Sequence, residues 1–286
     1  MAMTRLLRLA AVASAWLWVS ACAGVPALPQ AQPVQSEASA AASARAALAP
    51  AGRLRVGVYP GSPTSWVKHP QTGESVGVAL ELGRTLAQQL GVPVEVVTFA
   101  RVAEIIEALK QGQVDMTFTN ASPARARDVD FTAPLLQLEL GLLVPPDSRI
   151  TTMAQADVAG VRIGVSQGSS SQGVLGQRLQ QARVVPATSL EAAQHLFQAG
   201  QIDAFATNKG ILFEMAEKLP GYRVLDDRWG LEHLAIAVPK GREAGRAFLQ
   251  AFAERVQRQG DLQKMAERAG LRGVVWCFPN KELPRR

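Results

Sequence analysis

Cysteine is almost missing from this chain: among 286 residues only Cys22 and Cys277 carry a thiol. Two cysteines so placed offer no disulfide framework, so any fold must rest on packed apolar cores. Histidine is equally scarce. His69, His195 and His233 show no metal-ligand spacing, and no nucleophile elbow accompanies them, so neither a metal centre nor a cofactor is expected. Charge is not segregated either: Arg5 and Arg8 account for two of the net +6, and the remaining +4 is spread along the sequence. That dispersal argues against a nucleic-acid-binding stripe. Beyond the N-terminal segment, no apolar run approaches the length of a membrane span.

The N-terminal segment is the one long apolar stretch. Arg5 and Arg8 lead into residues 9–21, which have the charged start and short apolar middle of an export signal. The run ends Val19-Ser20-Ala21-Cys22, which resembles a lipobox. Residues 1–22 then read as a lipoprotein signal, with Cys22 as the lipidated first residue of a periplasmic, membrane-anchored protein; ordinary cleavage after Ala21-Cys22-Ala23 is the rival outcome. Residues 23–51 are rich in Ala, Pro, Ser and Gln and carry only Glu37 and Arg45 as charges. They read as a flexible tether that lets the folded part stand off a bilayer. Near the other end, Cys277 in Val-Val-Trp-Cys-Phe-Pro reads as a packed apolar thiol.

What the folded part does contain is a repetition. Arg55-Val-Gly-Val-Tyr-Pro-Gly-Ser62 returns as Arg162-Ile-Gly-Val-Ser-Gln-Gly-Ser169, and Gly112-Gln-Val-Asp-Met-Thr-Phe-Thr-Asn120 returns as Gly200-Gln-Ile-Asp-Ala-Phe-Ala-Thr-Asn208. Short apolar runs that end in Gly-Ser or Thr-Asn read as buried strands opening into loops. In open α/β sheets ligands sit at the carboxyl ends of strands, so matched strand ends in two halves predict a ligand gripped between two similar α/β lobes. Between the strands, residues 78–90, 102–110, 189–198, 211–218, 243–259 and 261–269 carry apolar residues at helical spacing. The β-α-β-α-β order argues for parallel pairing with crossover helices.

Residues 138–144 and 234–238 read as two strands that cross between lobes. The expected organisation is a first lobe over residues 52–140, a second over 141–233, and a return to the first over 234–286. A two-strand hinge of this kind permits closure through a few dihedral changes.

One local segment points to chemistry. Ser122-Pro123-Ala124-Arg125-Ala126-Arg127-Asp128 reads as a helix start, with Ser122 as cap and Pro123 in the first turn. Arg125 there opposes the helix dipole, and an anion would supply a reason for it, since guanidinium matches the two oxygens of a carboxylate. A surface Arg125 paired with Asp128 or Asp130 is the other reading, and spacing alone does not separate the two.

The block from Gly112 to Pro134, Gly-Gln-Val-Asp-x-x-x-Thr-Asn-x-Ser-Pro-x-Arg-x-Arg-x-Val-Asp-Phe-Thr-x-Pro, resembles the signature of the family 3 bacterial extracellular solute-binding proteins, the polar amino-acid receptors of ABC importers. The likeness extends over nearly all of residues 54–271. It implies the two-lobed type II periplasmic binding protein fold, a monomer that binds a small-molecule ligand without catalysis, and ABC permease subunits as partners. It places Arg125 on the ligand carboxylate, Asn120 beside it, and Ser169 and Ser170 as donors from the second lobe. Two departures stand out. Family members that bind α-amino acids usually carry an Asp where Asn208 stands, and the first-lobe aromatic that stacks on the ligand is missing from Gly61-Ser62-Pro63-Thr64. Trp66 or Phe118 would have to fill that place, although Trp66 also reads as lobe packing, and Ser62 stands with them as a candidate ligand-binding residue.

An amide at Asn208 offers no opposite charge to an ammonium. The sequence therefore favours a carboxylate-bearing anion, or an amino acid held mainly by Arg125, unless Glu232 or Asp227 restores a negative charge. Two alternatives remain: a ligand-sensing module for a separate partner, and a cyclohexadienyl dehydratase-like enzyme, which would need a cleft carboxyl group as general acid.

Overall fold

Residues 34–276 are described by the computed structural model; the signal segment, Cys22 and Cys277 lie outside them. In chain order the elements are α1 (Val34–Leu48), β1 (Leu54–Val58), β2 (Val67–Lys68), β3 (Ser75–Val76), α2 (Val78–Leu90), β4 (Val94–Thr98), α3 (Val102–Lys110), β5 (Thr117–Asn120), β6 (Val129–Phe131) and β7 (Leu136–Val144). The second half continues with α4 (Met153–Ala156), β8 (Arg162–Ser166), α5 (Ser170–Arg178), β9 (Arg183–Ala187), α6 (Leu190–Gln198), β10 (Ala204–Asn208), α7 (Lys209–Lys218) and β11 (Arg223–Val224). It closes with β12 (Gly230–Pro239), α8 (Glu243–Arg258), α9 (Asp261–Arg268) and β13 (Val274–Trp276).

Two α/β lobes result. In the first, β1 pairs in parallel with β4 and bridges to Met116 just before β5. In the second, β8 pairs in parallel with both β9 and β10. Each lobe has its own apolar core: Val56, Leu82, Phe118, Ile236 and Phe252 in the first, and Ile163, Val165, Leu175 and Ala206 in the second.

The repeated Arg and Asp of the sequence have a structural explanation. Asp115 Oδ2 accepts from the backbone N and the Nε of Arg55, both at 2.9 Å, and its Oδ1 accepts from Nη2 at 2.8 Å. Asp203 does the same for Arg162 at 2.8, 3.0 and 2.7 Å. Each pair stitches the start of one parallel strand to the turn before its neighbour, using the planar fork of guanidinium. The first half of each echo is therefore a brace.

Two strands cross between the lobes. β7 pairs with β12 from Leu136 to Leu140 and with β10 beyond that point, while β12 pairs with β5 through residues Leu234 to Ala237. This is the two-strand hinge. It places Glu232, opposite Leu138, in the middle of the crossing.

One expectation is corrected. Residues 34–48, read as part of a flexible tether, form α1, which lies along α8 and α2. Ala44, Leu48 and Ala49 are buried in the first-lobe core. Composition misled because an Ala-rich segment without aromatics looks unable to bury enough surface, whereas Ala is the best helix former and small residues permit close approach. A Cβ on Gly245 of α8 would lie 2.6 Å from Leu48, so the glycine makes room for the helix. Arg242 also donates to the Ala47 carbonyl.

Candidate ligand-binding site

The carboxyl ends of the echoed strands meet in a cleft between the lobes. Tyr59 and Thr119 line it from the first lobe, and their echo partners Ser166 and Thr207 line it from the second. Thr64, Arg101, Arg125, Ser169, Ser170, Asn208 and Glu232 complete the polar wall, with Ala100, Val102, Leu190, Ile211 and Leu234 as the apolar one. The volume left between these walls is small, about 30 Å³.

The lobes are closed on one another. Asn120 Nδ2 donates to Ser170 Oγ at 3.1 Å, and Arg101 Nη1 donates to the Thr188 carbonyl at 3.2 Å. Gly168, at φ 71°, brings its backbone so near α3 that a Cβ there would meet Ala103 at 2.6 Å.

Arg125 is the deeply buried cation of the cleft, whereas Arg101, which also lines it, pairs with Glu104 at 2.7 Å. Only 9% of Arg125 is exposed. Its Nη1 donates to Thr119 Oγ1 at 2.7 Å and to the Asn120 carbonyl at 3.4 Å. The expected helix after Pro123 is only a single 3-10 turn, Arg125–Arg127, with the Arg125 N–H donating to Ser122 Oγ at 3.3 Å. So short a turn carries little dipole, and burial rather than dipole repulsion is what the guanidinium works against. Burial pushes Arg125 below its ordinary pKa, with Glu232 and then Tyr59 acting in the opposite direction. The protein thus holds a cation that it under-compensates. The reading that pairs Arg125 with Asp128 or Asp130 does not apply: Asp128 faces Lys110, and Asp130 faces Lys240 and Arg246.

Glu232 is the anion, and it changes the electrostatic reading of the site. It is 7% exposed, and both of its oxygens face donors from the second lobe: Ser170 Oγ at 3.0 Å and Asn208 Nδ2 at 3.0 Å. The negative charge missing at Asn208 is therefore supplied from the hinge strand. Asn208 is engaged at both ends of its amide, since its Oδ1 caps α7 by accepting from the Ile211 N–H at 3.1 Å. A carboxylate at that position would face Glu232 at hydrogen-bond distance. Asp227, the other candidate acid, instead accepts from the Met153 N–H at 3.0 Å at the start of α4, whose cap is Thr152.

Several sequence expectations are corrected in place. Phe118 is 2% exposed and packs in the first-lobe core. Trp66 packs against the edge of the same core, with Lys68 Nζ 5.6 Å from its ring centroid. Ser62 is fully buried and bonds Thr64 at 2.9 Å within its loop. None of the three lines the cleft. Asn120 does not line it either: it spans the lobes, bonding Ser170 through Nδ2 and accepting from the His233 N–H at 2.9 Å through Oδ1. The first-lobe aromatic is Tyr59, which packs against second-lobe residues as well as its own lobe. Burial pushes its phenol up, and hydrogen bonding with Ser62 is the largest opposing influence. Ser169 lines the cleft but spends its Oγ accepting from the Gln172 N–H at 3.1 Å, as the cap of α5.

Residues 54–271 match the bacterial extracellular solute-binding proteins, family 3. The chain belongs to that family. A glutamine-binding protein of Geobacillus stearothermophilus is 28% identical over 196 residues, which cover 66% of this chain and 73% of that protein. An amino-acid-binding protein of Dichelobacter nodosus is 24% identical over 205 residues, covering 69% and 80%. Among solved structures, a solute receptor for L-cysteine of Neisseria gonorrhoeae superposes with TM-score 0.70 at 24% identity, covering 79% of this chain and 92% of that one. An ancestral amino-acid-binding protein described as a precursor of cyclohexadienyl dehydratase superposes with TM-score 0.67 at 24% identity, covering 78% and 97%. These likenesses show the type II periplasmic binding protein fold for this solute-binding chain.

Proposed function

We propose that this solute-binding protein is a receptor for an α-amino acid, which it delivers to the permease of an ABC importer. The observation that carries the reading is the pair of opposite charges in one cleft. The bonds of Arg125 go to Thr119 and Asn120, and those of Glu232 go to Ser170 and Asn208. The two groups feel each other's charge without bonding to each other. A zwitterion whose carboxylate meets Arg125 and whose ammonium meets Glu232 compensates both, with charge-assisted hydrogen bonds worth about 1.5–3 kcal/mol each. An anion without an amine compensates one and leaves Glu232 buried and unpaired, at a cost. The preference read from Asn208 alone is thus reversed.

The names of the relatives support the same reading, since the curated matches include glutamine-binding and arginine-binding proteins of ABC transporters. Lipid anchoring through Cys22 belongs to the proposal as the means of holding the receptor near its permease. An elimination enzyme would need a cleft carboxyl group free to donate a proton, whereas both oxygens of Glu232 are engaged as acceptors.

A thermal-shift panel of amino acids, dicarboxylates and monocarboxylates tests the proposal. At one hundred times its dissociation constant a ligand stabilises by about 2.7 kcal/mol, so at least one α-amino acid is expected to raise the melting temperature by several degrees. Shifts with the amine-free acids and none with any amino acid would overturn it.

A further inference from the structure

A second, larger cavity adjoins the cleft. Its volume is about 520 Å³, and Ala100 and Leu190 line both. The two spaces are therefore neighbours, with Ala100 and Leu190 between them, and the outer one is bounded by Pro60 and Gly61 of the first lobe and by α6 and α7 of the second.

One face of α7 connects them. Asn208 caps the helix beside Glu232, Ile211 lines the cleft, and Glu214, Met215 and Lys218 line the outer cavity. These positions recur at three- and four-residue steps and share a side of the helix. From Asn208 to Glu214 the helix rises about 9 Å at 1.5 Å per residue. Subtracting a hydrogen bond of about 2.8 Å leaves roughly 6 Å, the reach of about five extended bonds. Glu214 is half-buried and makes no hydrogen bond or close ion pair among the described residues. Glu191, on the facing helix, lines the same cavity, so two acids stand against the single base Lys218.

We propose that this cavity is a side-chain subsite for a long α-amino acid ending in a cation, with Glu214 receiving the terminal guanidinium or ammonium and Glu191 reinforcing the field. The inference rests on the amino-acid reading above and names the class of ligand. Leu190, Ile211 and Met215 cover the methylene stem, which gains by leaving water, while the charged end stays near the mouth of the groove. Glu214 suits the role electrostatically: burial raises its carboxyl above the ordinary range, with Glu217 adding to the effect and Lys218 and Arg272 opposing it. An incoming cation relieves that cost.

The test is calorimetric titration of the full-length protein and the Glu214→Gln variant with L-arginine and L-citrulline, which share shape and differ in terminal charge. The wild-type protein is expected to bind L-arginine at least about tenfold more tightly, the size of one charge-assisted hydrogen bond. Glu214→Gln is expected to remove most of that difference while leaving L-citrulline unchanged. Equal wild-type affinities, or an undiminished preference in the variant, would overturn the subsite and leave the amino-acid reading standing. Failure of both ligands together with every other α-amino acid would overturn the two readings at once.

Discussion

Replacing Arg125 with alanine is expected to weaken amino-acid binding by a factor on the order of 10² to 10⁴, as one or two charge-assisted hydrogen bonds to a carboxylate are lost. The same change is expected to leave the unliganded protein within about 1 kcal/mol of wild type. These two outcomes belong together. The guanidinium is buried, with Thr119 and a backbone carbonyl as its bonded partners and no carboxylate in contact, so the empty protein gains little from it. A residue whose loss abolishes binding without costing stability is positioned for a ligand rather than for the fold. Titration and thermal melting of the variant check both halves, and undiminished affinity would remove Arg125 from the site.

The largest effect on stability is expected at Asp115. Its side chain is fully buried and accepts from Arg55 three times and from Arg242 at 3.3 Å. Asp115→Ala leaves those donors facing a void at the junction of β1, β5 and α8. Breaking such a pair from one side costs roughly 3 kcal/mol, a fall of about 6–12 °C in melting temperature for a chain of this size. Asp203, its counterpart in the second lobe, is 36% exposed in the side chain, where water screens the pair. Asp203→Ala is expected to lower the melting temperature by less than half as much. Equal shifts for the two variants would mean that burial does not set the worth of these braces.

That contrast shows how the sequence can be read and where reading stops. The two echoes revealed two lobes because Arg, Gly and Asp recur wherever a parallel strand begins against the same brace, and this pattern is local. The amphipathic helices α2, α3 and α6 were legible for the same reason, since their apolar residues recur along one face. α5 was not: Gly173, Gly176 and several polar residues interrupt its periodicity, and it is formed by the Ser169 cap and by Leu175 packing beneath it. Tyr59 was within reach, because it holds the place in the first echo that Ser166 holds in the second, and both line the cleft.

Glu232 was the hardest to place. It lies on the hinge strand, outside both echoes, and only the folded crossing brings it against Ser170 and Asn208. Sequence spacing cannot show which way a residue between two lobes faces. The charge of the site is thus a property of the folded crossing, and the proposed preference for a zwitterion over an anion rests on it.

In the proposed receptor, Arg125 and Glu232 together recognise the two charges of an α-amino acid. The affinity of the tightest-binding amino acid, set against that of the corresponding α-hydroxy acid for the wild-type protein and for Glu232→Gln, tests this pairing. The wild-type protein is expected to prefer the amine by at least about tenfold, the worth of a charge-assisted bond in a buried site, and the variant to lose most of this preference by weakening the amino acid alone. A wild-type protein that binds the hydroxy acid as tightly as the amino acid would contradict it.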